Sequence, residues 1–355
     1  MNIDPTVELL DDAPIQHADD DRLDRRHVAA RIVELAAAAP ATRPRVVALI
    51  GPPGSGKTST LNLATALVVA RPELATLAVD VQLHASAQAV MKAVAAELQA
   101  LFDDLGVAGA RDKLRDTLIS YGGIVSGLIR IAGVKVDVTA ALERSAASLR
   151  EEIARHLEQA GKRVVIVVDH LDQLAPAESD DALAALRMYA AIPYLAIIIA
   201  LDRRGTDPRA FERLVHVELA LPPAPRAVLA GVLTTGIARI AARIRRDLTP
   251  VVTLFDSDDS LGLALLETPR DAVRALNALS AALPLLPSDA NLYLDALEVV
   301  LRVLVPEIDG ARLAARRRLD DAGRQALFAE LAEPLARHPR AAAAREALGA
   351  LVLGT

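Results

Sequence analysis

Five short apolar runs punctuate the first two thirds of the chain: Val46–Ile50, Leu77–Leu83, Val164–Val168, Leu195–Leu201 and Val215–Leu219. Runs this short and this rich in Val and Ile predict strands, and those without polar alternation predict strands covered on both faces. The stretches between them change to helical period. Leu61, Ala64, Leu67 and Val68 share one face, as do Val90, Met91, Val94, Leu98, Leu101 and Phe102, and then Leu142, Ala146, Leu149, Ile153 and Leu157. Further helices are predicted from Leu23 to Pro40, over 180–190 and near 209–214. Strand and helix in alternation predict a mostly parallel sheet with right-handed crossovers, sandwiched by helices. After Leu221-Pro222-Pro223 the strand signal stops. Leu229, Leu233, Ile237, Ile240 and Ile244 make one helical stripe, and Val273, Leu276, Leu279 and Leu283 another. A helix over 288–304 is apolar almost all round and is expected to be buried, and the tail beyond Pro306 is helical. The expected organisation is an acidic, mobile N-terminus (1–20), an α/β domain (21–221) and an all-α C-terminal domain (222–355).

Chemistry enters at the end of the first strand. Gly51-Pro52-Pro53-Gly54-Ser55-Gly56-Lys57-Thr58-Ser59 fits the phosphate-binding loop pattern, with a strand before it and a helix after it. Glycines let the backbone curl so that successive N–H groups face phosphate oxygens. Lys57 would reach the β- and γ-phosphates and the Thr58 hydroxyl would ligate Mg²⁺. The third strand ends in Asp169, where ligands bind in open α/β sheets and where an acid would hold the ion through its water shell. Polar Asp202, Arg203 and Arg204 end the fourth strand, where they would face the γ-phosphate. Thr268-Pro269-Arg270-Asp271 reads as a helix start with a threonine cap, placing Arg270 on the first turn.

Composition narrows the classes. Aromatics make up 2% of 355 residues and the net charge is −6, which argues against base-stacking platforms and a general nucleic-acid coat. The densest basic cluster, Arg316-Arg317-Arg318, is expected to be a solvated helix face. With no cysteine there is no disulfide framework. Residues 1–24 have neither the basic start nor the apolar core of a signal peptide, and the uncharged run from 188 to 201 is too short to span a bilayer. A cytoplasmic protein without a membrane span is expected. The glycine-punctuated segment 121–138 reads as a buried loop or short helix.

In order and spacing these motifs resemble the KAP family of P-loop NTPases, a branch of the STAND/AAA+ group. Pro14-Ile15, Asp21-Arg22-Leu23 and Val28-Ala29 are similar to its N-terminal box, which borders the nucleotide, and Val167 to Gln173 resembles its aliphatic strand followed by Asp-Asp-Leu-Asp-Arg. Ile199 to Arg203, Phe211 to Val215 and Thr268 to Asn277 resemble its fourth-strand, pre-fifth-strand and second-sensor segments. The resemblance implies ATP and ADP as ligands with Mg²⁺, and an ATP-driven switch in bacterial signalling, assembly or phage defence with an unknown protein partner. It implies Arg270 as a charge stabiliser beside the nucleotide. Arg213 is the candidate for reaching a neighbouring subunit, which would make the protein a homo-oligomer.

The departures from the family pattern matter for mechanism. The transmembrane insertion many relatives carry is missing, and Pro52-Pro53 replaces the usual tryptophan-containing loop. His170 stands where the second acid is expected, and Gln173 where an arginine is. A lytic water needs a base or positioning group within hydrogen-bond reach, so His170 or Asp172 would have to supply it. Two alternatives follow: a nucleotide-binding scaffold with little turnover, and an origin-recognition-like DNA-handling ATPase. The acidic balance and the lack of a winged-helix hairpin signal weigh against the second.

Overall fold

The structure is a computed structural model that describes residues 9–107, 150–204 and 206–354. It divides into two compact units, one comprising Pro14–Pro222 and the other Met1–Ala13 with Pro223–Thr355.

The first unit is built on a five-stranded parallel sheet in the order β2-β3-β4-β1-β5. Its strands are β1 (Arg45–Ile50), β2 (Leu74–Asp80), β3 (Arg163–Asp169), β4 (Leu195–Leu201) and β5 (Val217–Ala220). β3 and β4 are buried at every residue, as unbroken Val/Ile runs require when helices cover both faces. β5 forms one edge and alternates in burial. One face is covered by α1 (Arg26–Ala37) and α2 (Lys57–Val69), through Val28, Ile32, Val33, Leu61, Ala64 and Val68. The other carries α3 (Ala87–Asp104), a helix over 150–159 and the helices Pro176–Ala190 and Pro208–Leu214. This is the predicted sandwich.

Boundaries differ where local turn chemistry overrides the apolar pattern. β2 ends at Asp80 and not at Leu83, because the Asp80 carboxylate accepts the Gln82 N–H at 3.0 Å and turns residues 81–83 into a 3₁₀ segment. β5 begins at Val217, two residues after the predicted start. The helix expected from Ser288 begins at Leu292, because the Asn291 side chain accepts the Leu294 N–H and caps it there. It buries one face (Ala296, Leu297, Val300, Leu301 and Leu304) while Leu292, Leu294, Val299 and Val303 stay partly covered, so it is amphipathic and not buried all round. The segment 121–138 and the first half of the helix expected near 142–157 lie outside the described residues.

The second unit has helices and no strand among its described residues. The helix Arg226–Ile244 packs on Pro269–Ala282, and both share a core with Leu292–Leu304 and the C-terminal helix Ala341–Val352. Arg226–Ile244 is also long and apolar enough, by length and composition, to cross a membrane; here Leu229, Leu233, Ile237 and Ile240 are buried in that core. The Thr268–Asp271 capping box forms as the sequence predicts, and Arg340 reaches the same Asp271 carboxylate at 2.7 Å. Leu10 is tied to this unit: the Asn277 amide accepts from the Leu10 N–H at 2.8 Å and donates to its carbonyl at 3.0 Å. Arg316, expected on a solvated face, is instead buried. It donates to Glu298 at 2.7 Å and to the Leu313 carbonyl at 2.9 Å, because Leu313 on the preceding turn draws the segment into the core.

Candidate functional site

Because every strand is parallel, all five carboxyl ends open on one side of the sheet, the usual ligand crevice of an open α/β fold. The phosphate loop leaves β1 there. Gly54 and Gly56 have φ of 78° and 97°, which side-chain-bearing residues rarely adopt, so the curl needs glycine at both. A Cβ on Gly51 would lie 2.7 Å from Ser55 Oγ and would push that hydroxyl aside. Ser55 Oγ is buried with no partner in the protein. Lys57 is buried and folds back to donate to the Gly51 and Pro52 carbonyls at 2.8 and 3.2 Å. A cradle closed by its own lysine, lined by an unbonded hydroxyl and opening α2 at its N-terminus, fits a chain of phosphates.

Asp169 ends β3 beside the Thr58 hydroxyl. Burial raises its pKa above the ordinary carboxylate value, against the opposing pull of Thr58 and His170, and the nearby Asp80 charge adds to the rise. One hydroxyl and one carboxylate make a hard oxygen donor pair suited to a magnesium ion that keeps its remaining contacts for water and phosphate.

His170 leaves β3 in the left-handed region (φ 62°), a conformation histidine tolerates better than most residues, and this starts the 3₁₀ turn Leu171–Gln173. Its backbone N–H donates to Asp169 at 2.8 Å. The imidazole is held at both nitrogens: Nδ1 lies 3.0 Å from Asp80 Oδ1 and Nε2 3.2 Å from Thr58 Oγ1. Asp80 is a site residue that the sequence analysis missed. It sits at the end of an alternating strand, and only the register, which pairs Asp80 with Asp169, brings it beside His170.

β4 lies between β1 and β3, so its terminal Asp202 sits between the phosphate loop and Asp169. Burial would raise its pKa, but hydrogen bonds from Arg204 and the charges of Arg204 and Lys57 outweigh that and hold it below the ordinary value. Arg203 turns away to pair with Glu218 on β5 at 2.9 Å and to stack over Phe211. Asp172 is half-buried, and its Oδ1 has no partner in the protein.

A second residue that the sequence analysis missed is Arg25, which precedes α1. The C-terminal end of α1 is bonded near the strand amino ends, by Arg163 to the Ala38 carbonyl and by the Tyr194 N–H to the Ala41 carbonyl. Twelve helical residues, about 18 Å, return its N-terminus to the nucleotide side. Arg25 is buried there with Nε and Nη2 unbonded in the protein. Ile15 lies on the same side, bonding Ser59 and Asn62 on α2.

Lys57, Thr58, Asp169, His170 and Asp202 thus gather at one crevice. Arg213 is exposed on the last turn of Pro208–Leu214. Arg270 belongs to the other compact unit, where its Nε donates to Asp12 at 2.6 Å.

Sheet order, phosphate loop and strand-end acid together define a P-loop NTPase whose fourth strand is inserted between the loop strand and the acid strand. The KAP family P-loop domain matches residues 25–205, just over half of the 355-residue chain, and the protein belongs to that family. No curated protein matches it in sequence. Among solved structures it is similar to the Orc1 protein of Aeropyrum pernix in complex with DNA (TM-score 0.41, 18% identity, covering 92% of this chain and 83% of that one). It is similar also to Cdc6p from Pyrobaculum aerophilum (TM-score 0.45, 12% identity, 94% and 81%). A third is the ORC2 protein of Aeropyrum pernix in ADPNP–ADP complexes (TM-score 0.39, 14% identity, 86% and 78%).

Proposed function

We propose that the protein is a Mg²⁺-dependent ATPase that works as a conformational switch. The observation carrying this reading is the convergence of a closed phosphate loop, Lys57, Thr58 and Asp169 with the imidazole of His170. Lys57 leaves the loop carbonyls to donate to the β- and γ-phosphates. Thr58 and Asp169 are the residues that would hold a magnesium ion, which would supply charge neutralisation. Asp80 keeps the proton on His170 Nδ1, leaving Nε2 as the basic nitrogen. Once released from the Thr58 hydroxyl, Nε2 would accept the proton of the lytic water as it attacks the γ-phosphoryl group and ADP leaves, in the role a carboxylate serves elsewhere. Arg25, with a donor edge unbonded on the same side of the sheet, borders the base or ribose.

The test is nucleotide binding followed by thermal unfolding with and without Mg²⁺. ATP at a hundred times its Kd should stabilise the protein by about 2.7 kcal/mol, and Lys57→Ala should remove the effect. An equal shift in both proteins would contradict the assignment.

The replacement of an acid by His170 favours a second reading, a nucleotide-binding scaffold without meaningful turnover. The His170→Asp variant separates the two. On the ATPase reading the wild type turns over and the substitution slows it, because Asp80 then faces another carboxylate. On the scaffold reading the wild type is silent.

A further inference from the structure

At the opposite, amino-terminal edge of the sheet stands a second cluster of cations that the nucleotide site does not use. Arg45 opens β1 and Arg163 opens β3, with β4 between them. Arg45 and Val165 are both level with Ala196, and Arg163 lies two residues before Val165. The two arginines therefore project to the same face of the sheet, the one covered by α1. Two strand spacings across, about 10 Å, and two residues along the strand, about 7 Å, put their Cα atoms roughly 12 Å apart, within reach of two such side chains. Burial, and after it the charge of Arg45, holds the Arg163 pKa below its ordinary value. Burial and then Arg45 likewise depress His216, whose Nδ1 accepts the Val46 N–H.

One duty of this pair is structural. Arg163 Nη1 donates to the Ala38 carbonyl at 2.8 Å and Arg45 Nη2 to the Ala39 carbonyl at 3.4 Å, capping the C-terminal end of α1. Capping leaves donors of both guanidinium groups without a partner. Arg163 is 5% exposed, yet Nε and Nη2 have no partner in the protein, and neither does the buried Nε of Arg45. Nε and Nη2 form one edge of the guanidinium, the edge whose parallel N–H groups match two oxygens of a phosphate or carboxylate. Among the described residues no carboxylate pairs with either arginine. Glu73 is exposed and meets Arg163 only through its backbone carbonyl, and Glu158 lies towards the Tyr194 hydroxyl.

We propose that Arg163 and Arg45 form a binding site for a small divalent oxyanion of the phosphate class, on the far side of the sheet from the nucleotide. The unbonded bidentate edge selects an oxyanion, and two positive charges match a dianion better than a monovalent carboxylate. The proposal is independent of the ATPase reading, since it shares no residue with the phosphate loop.

The experiment uses the full chain saturated with ADP, so that the phosphate loop is already filled, and repeats it in Lys57→Ala. Thermal unfolding is followed as inorganic phosphate replaces chloride at constant ionic strength, with sulfate and formate as parallel titrations. A saturable rise in Tm with phosphate and sulfate, smaller with formate and present in both backgrounds, is expected. Arg163→Lys keeps the charge without the fork, and Arg45→Met removes the less buried partner; both should need at least roughly tenfold more phosphate for the same shift. The proposal is overturned if the variants shift as much as the parent, if formate equals phosphate, or if the rise vanishes in Lys57→Ala.

Discussion

At the scale of single residues, the site combines groups that are costly to bury with a geometry that makes them useful. Asp169 is the clearest case. Its folded-state pKa lies above the unfolded value, so its contribution to stability is present below the unfolded pKa and lost as pH rises through the folded one. At neutral pH the ionised carboxylate works against the fold. Asp169→Asn, which keeps an acceptor for Thr58 and for the His170 N–H, should therefore raise the Tm of the nucleotide-free protein at pH 7. The gain should shrink towards pH 4, and Mg²⁺-dependent nucleotide binding should weaken. A Tm that falls at pH 7 would refute the burial argument. On the ATPase reading, Asp80→Asn should lower kcat about a hundredfold with little change in nucleotide Kd, because binding does not need the tautomer that Asp80 sets. A matched loss in Kd would mean that Asp80 only holds the loop.

At the scale of elements, packing decides what the same substitution does at two places on one helix. In Arg226–Ile244, a Cβ on Gly231 would meet nothing within 4 Å, whereas on Gly236 it would lie 2.1 Å from Leu276 Cδ2 on the neighbouring helix. Gly231→Ala should raise stability by about 0.5–1 kcal/mol through the unfolded chain. Gly236→Ala should lower it, with an overpacking cost of about 1–3 kcal/mol outweighing the gain in helix propensity. Paired denaturant unfolding curves check both signs. The elements also show what the sequence makes legible. Uninterrupted runs such as Val164–Val168 name a central strand because only a doubly covered strand tolerates them, and the loop glycines name a turn that no other residue can make. Asp80 stayed hidden because its meaning comes from pairing with a strand more than eighty residues later. The end of β2 was misplaced for a related reason: a side-chain turn at Asp80 interrupts an apolar run that continues to Leu83. Arg316 misled because three consecutive arginines look solvated until Glu298, from a separate helix, meets the first of them.

At the scale of the whole molecule, five parallel strands set two functions of charge at opposite ends of one sheet. The carboxyl ends gather donors and acids around a phosphate loop, while the amino ends gather arginines that the chain leaves partly unbonded. A switch needs the bound nucleotide to alter something beyond its own crevice, and differential interaction with two states is the only means available to it. The central claim remains the chemistry at the first crevice. Steady-state release of inorganic phosphate from Mg·ATP tests it most directly, measured for the wild type, Lys57→Ala and His170→Ala side by side. Turnover that requires Mg²⁺ and falls by about 10²–10³-fold in each variant is the predicted result. A wild-type rate no greater than that of Lys57→Ala would contradict the account.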